Sequence, residues 1–174
     1  MFRRTFIACG LMLATFRRAW AQSAPIPPRY HPLKSPIRIA LDRIATPWTL
    51  ARFTAEAISP AADGPGRRVL ISGVLFRRVV PDDRPTLSAL CLTCPHEQCQ
   101  VDLITDEARL AAIKAAPGNP VFECGCHASV FDALNDGAAL AGPTPRGLYR
   151  FRVQATSDGA AVIDQVEESA LSEV

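Results

Sequence analysis

The chemistry of this chain concentrates in two short cysteine/histidine boxes. The first reads Cys94-Pro-His96-Glu-Gln-Cys99, the second Cys124-Gly-Cys126-His127-Ala-Ser129. Each box offers one Cys and one His as candidate ligands and leaves a second Cys over. The chain has only 3 His, and two of them fall inside the boxes. Two thiolates and two imidazoles can hold a [2Fe-2S] cluster in which His replaces Cys on one iron. In that arrangement Cys94 and Cys124 hold one iron, and His96 and His127 hold the other. Imidazole is neutral where thiolate is anionic, so the exchange favours the reduced state. Such centres span about −150 to +300 mV, against about −400 mV for all-Cys plant-type ferredoxins.

Short strand-like runs separated by turn signals must position the boxes. Fifteen Pro and 10 Gly argue against a helical bundle. Ile37–Leu41 alternates as a half-buried strand should, and Leu50–Ala57 is a second candidate. Val69–Val80 is the most apolar stretch, interrupted by Gly73, which marks a bulge or a close approach. Thr86–Leu92 leads into the first box and Val121–Glu123 into the second, with Ser129–Asp132 leaving it. Asn135-Asp136-Gly137 forms a turn. Leu148–Ala155 and Ala160–Asp164 form a hairpin through Ser157-Asp158-Gly159. Between the boxes, Asp106–Ala116 is rich in helix formers, capped by Thr105 or Asp106 and ended by Pro117-Gly118. The expected fold class is all-β: an antiparallel sandwich base, an inserted ligand-bearing subdomain over about residues 91–146, and one short helix between the boxes.

At 174 residues the chain suffices for one domain with a real core. The formal charge of +2 arises from the N-terminal segment, where Arg3, Arg4, Arg17 and Arg18 meet no acid. Without those four the balance turns to −2, so composition gives nucleic-acid binding no support. Arg3-Arg4-Thr5-Phe6-Ile7 matches the twin-arginine export pattern, an apolar run follows to Phe16, and Ala19-Trp20-Ala21 suits signal peptidase. The run is well short of the roughly 20 residues that span a bilayer. Residues 1–21 are therefore expected to be a cleaved signal, a retained anchor being the alternative. That predicts a periplasmic protein, soluble or attached to the membrane through a partner. Residues 22–36 read as an extended Pro-rich tether containing a bystander His31, residues 37–166 as the folded domain, and residues 167–174 as an acidic tail.

The boxes resemble those of the Rieske iron–sulfur family, in the branch associated with quinol-oxidising cytochrome bc complexes. Cys94, His96 and Cys99 match its Cys-x-His-x-x-Cys box. Cys124, Cys126, His127 and Ser129 match its Cys-x-Cys-His-x-Ser box. Gly142-Pro143-Thr144-Pro145 stands where the family has a Gly-Pro-x-Pro loop. The resemblance implies that His96 and His127 face solvent as the edge where electrons come and go. It also implies that Ser129 donates a hydrogen bond to a bridging sulfide, and that Pro143 and Pro145 shape the loop beside the cluster. If the boxes face each other, Cys99 and Cys126 can meet in a disulfide that pins the two loops together.

Four features depart from that pattern. Phe131 stands where quinol-oxidising members have an aromatic hydroxyl bonding a ligand cysteine, so one charge-stabilising bond is missing and the potential should be lower. Glu97-Gln98 replaces a Leu-Gly tip, which disfavours an apolar quinone headgroup. Ala128 replaces a Gly. Twenty-seven residues separate His96 from Cys124, a longer gap than usual. The leading expectation is a one-electron carrier serving a redox partner, either a cytochrome or the large subunit of an oxidoreductase, rather than a stand-alone enzyme. A quinol-oxidising subunit of a cytochrome bc-type complex is the second reading. Structural zinc bound through Cys91-Leu-Thr-Cys94 and the second box is the third. On either cluster reading a ring nitrogen not bound to iron remains free to lose a proton. Redox titrations should then show a midpoint potential that falls with rising pH; a flat profile into strong alkali would exclude histidine ligation.

Overall fold

The computed structural model describes residues 27–60, 64–79 and 85–173, so the export signal expected over residues 1–21 lies outside the described residues. Among the described residues, ten strands form three antiparallel sheets: β1(Tyr30–Ala40), β2(Ala51–Ser59), β3(Arg67–Val79), β4(Pro85–Cys91), β5(Val101–Ile104), β6(Val121–Cys124), β7(Val130–Asp132), β8(Ala138–Ala141), β9(Phe151–Ala155) and β10(Ala160–Glu167). Among the described residues, two short α-helices, α1(Glu107–Ala112) and α2(Ala170–Glu173), and a 3-10 turn over Leu41–Ile44 complete the order. The sheets run β1-β10-β9, β2-β3-β4 and β5-β6-β7-β8. The first two face each other as the sandwich base, and the third is the inserted subdomain, as the sequence led us to expect.

β3 explains how base and subdomain are joined. Its first half alternates: Val69 and Ile71 are buried while Leu70 is exposed. Its second half, from Gly73 to Phe76, is buried continuously. Ile71 and Leu75 enter the base core with Ala55, Phe151 and Ile163, whereas Val74 and Phe76 point the other way, into a second core with Phe122 and Phe131. β4 repeats the division, with Ala89 and Cys91 on the base side and Leu90 on the subdomain side. A strand buried on both faces needs an unbroken apolar run, which the Gly73–Phe76 part of this strand supplies.

Gly73 is a close approach and not a bulge. The β2–β3 register passes through Phe53↔Gly73 without a shift. A Cβ here would lie 2.4 Å from the Phe53 ring and 2.9 Å from that of Phe151. Those two rings pack edge to face over the glycine, 5.0 Å between centroids.

Several expectations need correction. The tether ends at Tyr30: residues 30–32 already pair with β10, and the register shifts between Pro32 and Ile37, where prolines interrupt the ladder. His31 lies in that strand, half-buried. The acidic tail is not a solvated one, since Glu167 is fully buried between two arginines and α2 places Ala170 and Leu171 in the base core. The helix stops at Ala112 rather than near Pro117. Lys114 turns left-handed (φ 57°), and the Ala115 and Lys114 amides close onto the Leu110 and Ala111 carbonyls. Near the end of β3, Arg78 is half-buried. It donates to Leu134 O at 2.5 Å and Asp136 at 3.0 Å, tying β3 to the turn after β7. β5 and β8 are not legible in the sequence because four-residue strands carry too little pattern, and Ala-Ala-Leu-Ala favours a helix when taken alone.

Replacing Gly73 with Val should lower stability by about 1–3 kcal/mol through overpacking against Phe53 and Phe151, measured by chemical denaturation.

Candidate metal centre

Sheet pairing brings the boxes together. β4 leads into the first box and β5 leaves it; β6 leads into the second and β7 leaves it. β5 and β6 are neighbours, with Val101 opposite Cys124, so the exit from one box is hydrogen-bonded beside the approach to the other. The two boxes are closed by the same backbone bonds. Cys94 N donates to Cys99 O at 2.8 Å and Gln98 N to Cys94 O at 3.0 Å. Cys124 N donates to Ser129 O at 2.8 Å and Ala128 N to Cys124 O at 3.0 Å. In both, the fifth residue is left-handed: Gln98 at φ 59° and Ala128 at φ 54°. Neither is Gly, so each loop carries about 1–2 kcal/mol of backbone strain.

Cys94 and Cys124 are both buried at 1% exposure and belong to the subdomain core. Burial pushes the Cys94 thiol above its ordinary value; a bond from the His96 backbone works against this, and the neighbouring Cys124 thiol adds to it. The His96 and His127 rings pack edge to face, 4.9 Å between centroids. His96 Nδ1 is buried without a hydrogen-bond partner. Ser129 Oγ is also buried. It lies near enough to Cys94 to favour the thiolate, yet makes no hydrogen bond of proper geometry to any protein group. The buried Cys94 and Cys124 thiols thus neighbour each other beside Ser129, while His96 Nδ1 and Ser129 Oγ are buried with no hydrogen-bond partner among the described residues. Polar groups so placed fit a bound inorganic group carrying acceptor atoms and metal.

The disulfide is present: Cys99 and Cys126 are bonded, with Cα atoms 6.5 Å apart, and their sulfurs lie within 4.8 Å of the Cys124 sulfur. Closing a loop of 27 residues in the unfolded chain is worth about 3–4 kcal/mol in chain-entropy terms. His96, Glu97 and His127 cluster in the same way at the tip, where Glu97 Oε2 lies 3.7 Å from His127 Nε2. Cys91 belongs to neither group. It sits in the base core, on the opposite side of the chain from Cys94, and burial pushes its thiol up. The Cys91-x-x-Cys94 pair that a zinc site would use is therefore split between two cores.

Phe131 is fully buried in the subdomain core with Val74, Phe76, Leu90 and Phe122, and brings no donor. Pro143 and Pro145 are exposed, but the Gly142 before them is the tight point. Gly142 has φ 90°, and a Cβ on it would lie 2.5 Å from Ser129 Cα. The far end of that loop is fixed by Arg146, which donates to Ser169 Oγ at 2.7 Å, pairs with buried Glu167 and lies over the Tyr149 ring. Arg150 pairs with the other Glu167 oxygen at 2.9 Å. Sequence reasoning missed this anchor. Its only signal was an arginine-rich strand and an acidic stretch some twenty residues later.

The family model for the Rieske [2Fe-2S] domain matches residues 63–153. Among solved structures, the cyanobacterial plasma membrane Rieske protein PetC3 from Synechocystis PCC 6803 aligns with 21% identity and a TM-score of 0.38, over 63% of this chain and 84% of that one. The soluble domain of the Rieske protein II (soxF) from Sulfolobus acidocaldarius aligns with 23% identity and a TM-score of 0.36, over 49% of this chain and 42% of that one. No curated protein sequence gives a significant match. Because the family match spans more than half of its length, the chain belongs to the Rieske [2Fe-2S] family, whose domain binds a [2Fe-2S] cluster.

Proposed function

We propose that this protein is an exported one-electron carrier in which Cys94 and Cys124 hold one iron and His96 and His127 the other. The observation that carries this reading is a pair of neighbouring buried thiols together with the buried, unpartnered His96 Nδ1, all borne on two matching, disulfide-joined loops. When bound, such a cluster takes up one electron and returns it. The chain's own residues do the rest. The subdomain core shields the thiol side from water, while the half-exposed His127 and His96 leave one edge open for a partner. Ser129 holds a donor at a buried site where extra negative charge is stabilised.

The electron goes to or from a protein, in the role of a shuttle or of the small subunit of a respiratory or other oxidoreductase. Quinol is the weaker partner for this tip. Glu97 sits beside His127 Nε2, and the exposed large apolar residues among those described are Ile58, Leu70, Val79 and Leu140, none within a box. A periplasmic location is supported by the Arg3-Arg4 pattern and by a disulfide of the kind that persists in oxidising compartments.

Metal and sulfide analysis with a visible spectrum tests the cluster: two irons and two labile sulfides per chain are expected, and colourless protein with stoichiometric zinc would refute it. A quinol analogue should leave the EPR signal of the reduced protein unchanged; a shifted signal would favour the quinol-oxidising reading. Because the Cys94 thiol is held protonated at neutral pH, reconstitution of the apoprotein should release protons. Its extent should drop as the medium is acidified below pH 7, followed by absorbance and by proton release in weak buffer.

A further inference from the structure

The segment between the boxes carries an ion pair for which electron transfer as described has no use. α1 lies against the strands that bear the second box, with Leu110 packed on Val121 and Val130 in a small core of its own. Asp106 caps the helix by accepting from Arg109 N at 2.9 Å. Arg109 then forks onto Glu123, Nε donating to Oε2 at 2.9 Å and Nη2 donating to Oε1. The Glu123 side chain is 9% exposed, and it immediately precedes Cys124. Its cross-strand neighbours are Asp102, which pairs with Arg52, and Val130, so Arg109 is the cation that meets it.

A buried carboxylate is costly unless paired, and breaking such a pair leaves an uncompensated charge. Here that charge sits one residue from a candidate iron ligand, where a bare anion opposes the arrival of an electron. We propose that Arg109 is a positioning and tuning residue: by holding and neutralising Glu123, it keeps the reduction potential of the centre at Cys124 from falling. This rests on the reading that Cys124 holds the cluster. It gives the inserted helix a role beyond bracing, since one of its side chains sets how readily the site accepts an electron.

The test is a spectroelectrochemical titration of the loaded protein at pH 7, with a reduced viologen supplying the single electron and ferricyanide removing it. At a fixed ambient potential, Arg109→Leu should lower the reduced-to-oxidised ratio severalfold. Glu123→Gln, which leaves the guanidinium uncompensated, should raise it severalfold. The double variant should return close to the wild-type ratio, and Arg109→Lys should retain most of it. A brace alone would lower the melting temperature and leave the ratio where it was. Unmoved ratios, or two single variants that shift the same way with the cluster intact, would overturn the proposal. If Arg109→Leu does not fold, Glu123→Gln and Arg109→Lys decide: a Gln variant without a rise overturns it. Wild-type protein without a Rieske-type spectrum would instead sink the cluster reading itself.

Discussion

Two loops thirty residues apart in sequence must face each other within a few ångströms, and the pairing of β5 with β6 imposes this. Val101 beside Cys124 fixes the approach to the second box against the exit from the first. The disulfide between Cys99 and Cys126 then closes the same gap covalently at the tip. Hydrogen bonds set the register and the covalent bond limits opening. Two left-handed non-glycine residues, Gln98 and Ala128, persist because both ends of each loop are held so firmly.

The base transmits rigidity to this arrangement through strands that serve two cores. β3 and β4 place alternate residues in the sandwich and in the subdomain, so Phe76 and Leu90 support the ligand loops while Leu75 and Ala89 hold the base. Arg78 adds a polar tie from β3 to the turn after β7, where Asp136 also accepts from Ser88 at 2.7 Å. On the far side, α1 covers the outer face of the ligand sheet. The thiols are thus enclosed by the chain on the buried side and the imidazoles reach the surface on the other. An electron-transfer site needs that asymmetry: insulation from water and access for a partner.

How much of this was legible in the sequence depended on the range of the signal. Ligand candidates were readable because Cys and His are scarce and their spacing is local. The sandwich was readable from alternating runs such as Ile37–Leu41 and from the Ser157-Asp158-Gly159 turn. The zinc alternative was undecidable from spacing, since Cys91 and Cys94 differ only in which core they enter. Gly142 is legible as part of a proline motif, while its contact with Ser129 is a matter of tertiary approach. The Arg146–Glu167–Arg150 anchor joins residues too far apart for any periodicity to connect them. Burial of Glu167 contradicts the local reading of an acidic tail for the same reason.

That anchor bears on the order of events in biogenesis. The proline loop that buttresses the second box is secured by a carboxylate at residue 167, near the end of strand β10. A nascent chain that has emerged only as far as Ser129 displays every candidate ligand but lacks the clamp behind them. Iron delivered at that stage would meet an unbraced pocket. The brace behind the second box therefore forms only once the strand that carries Glu167 has been added and has paired.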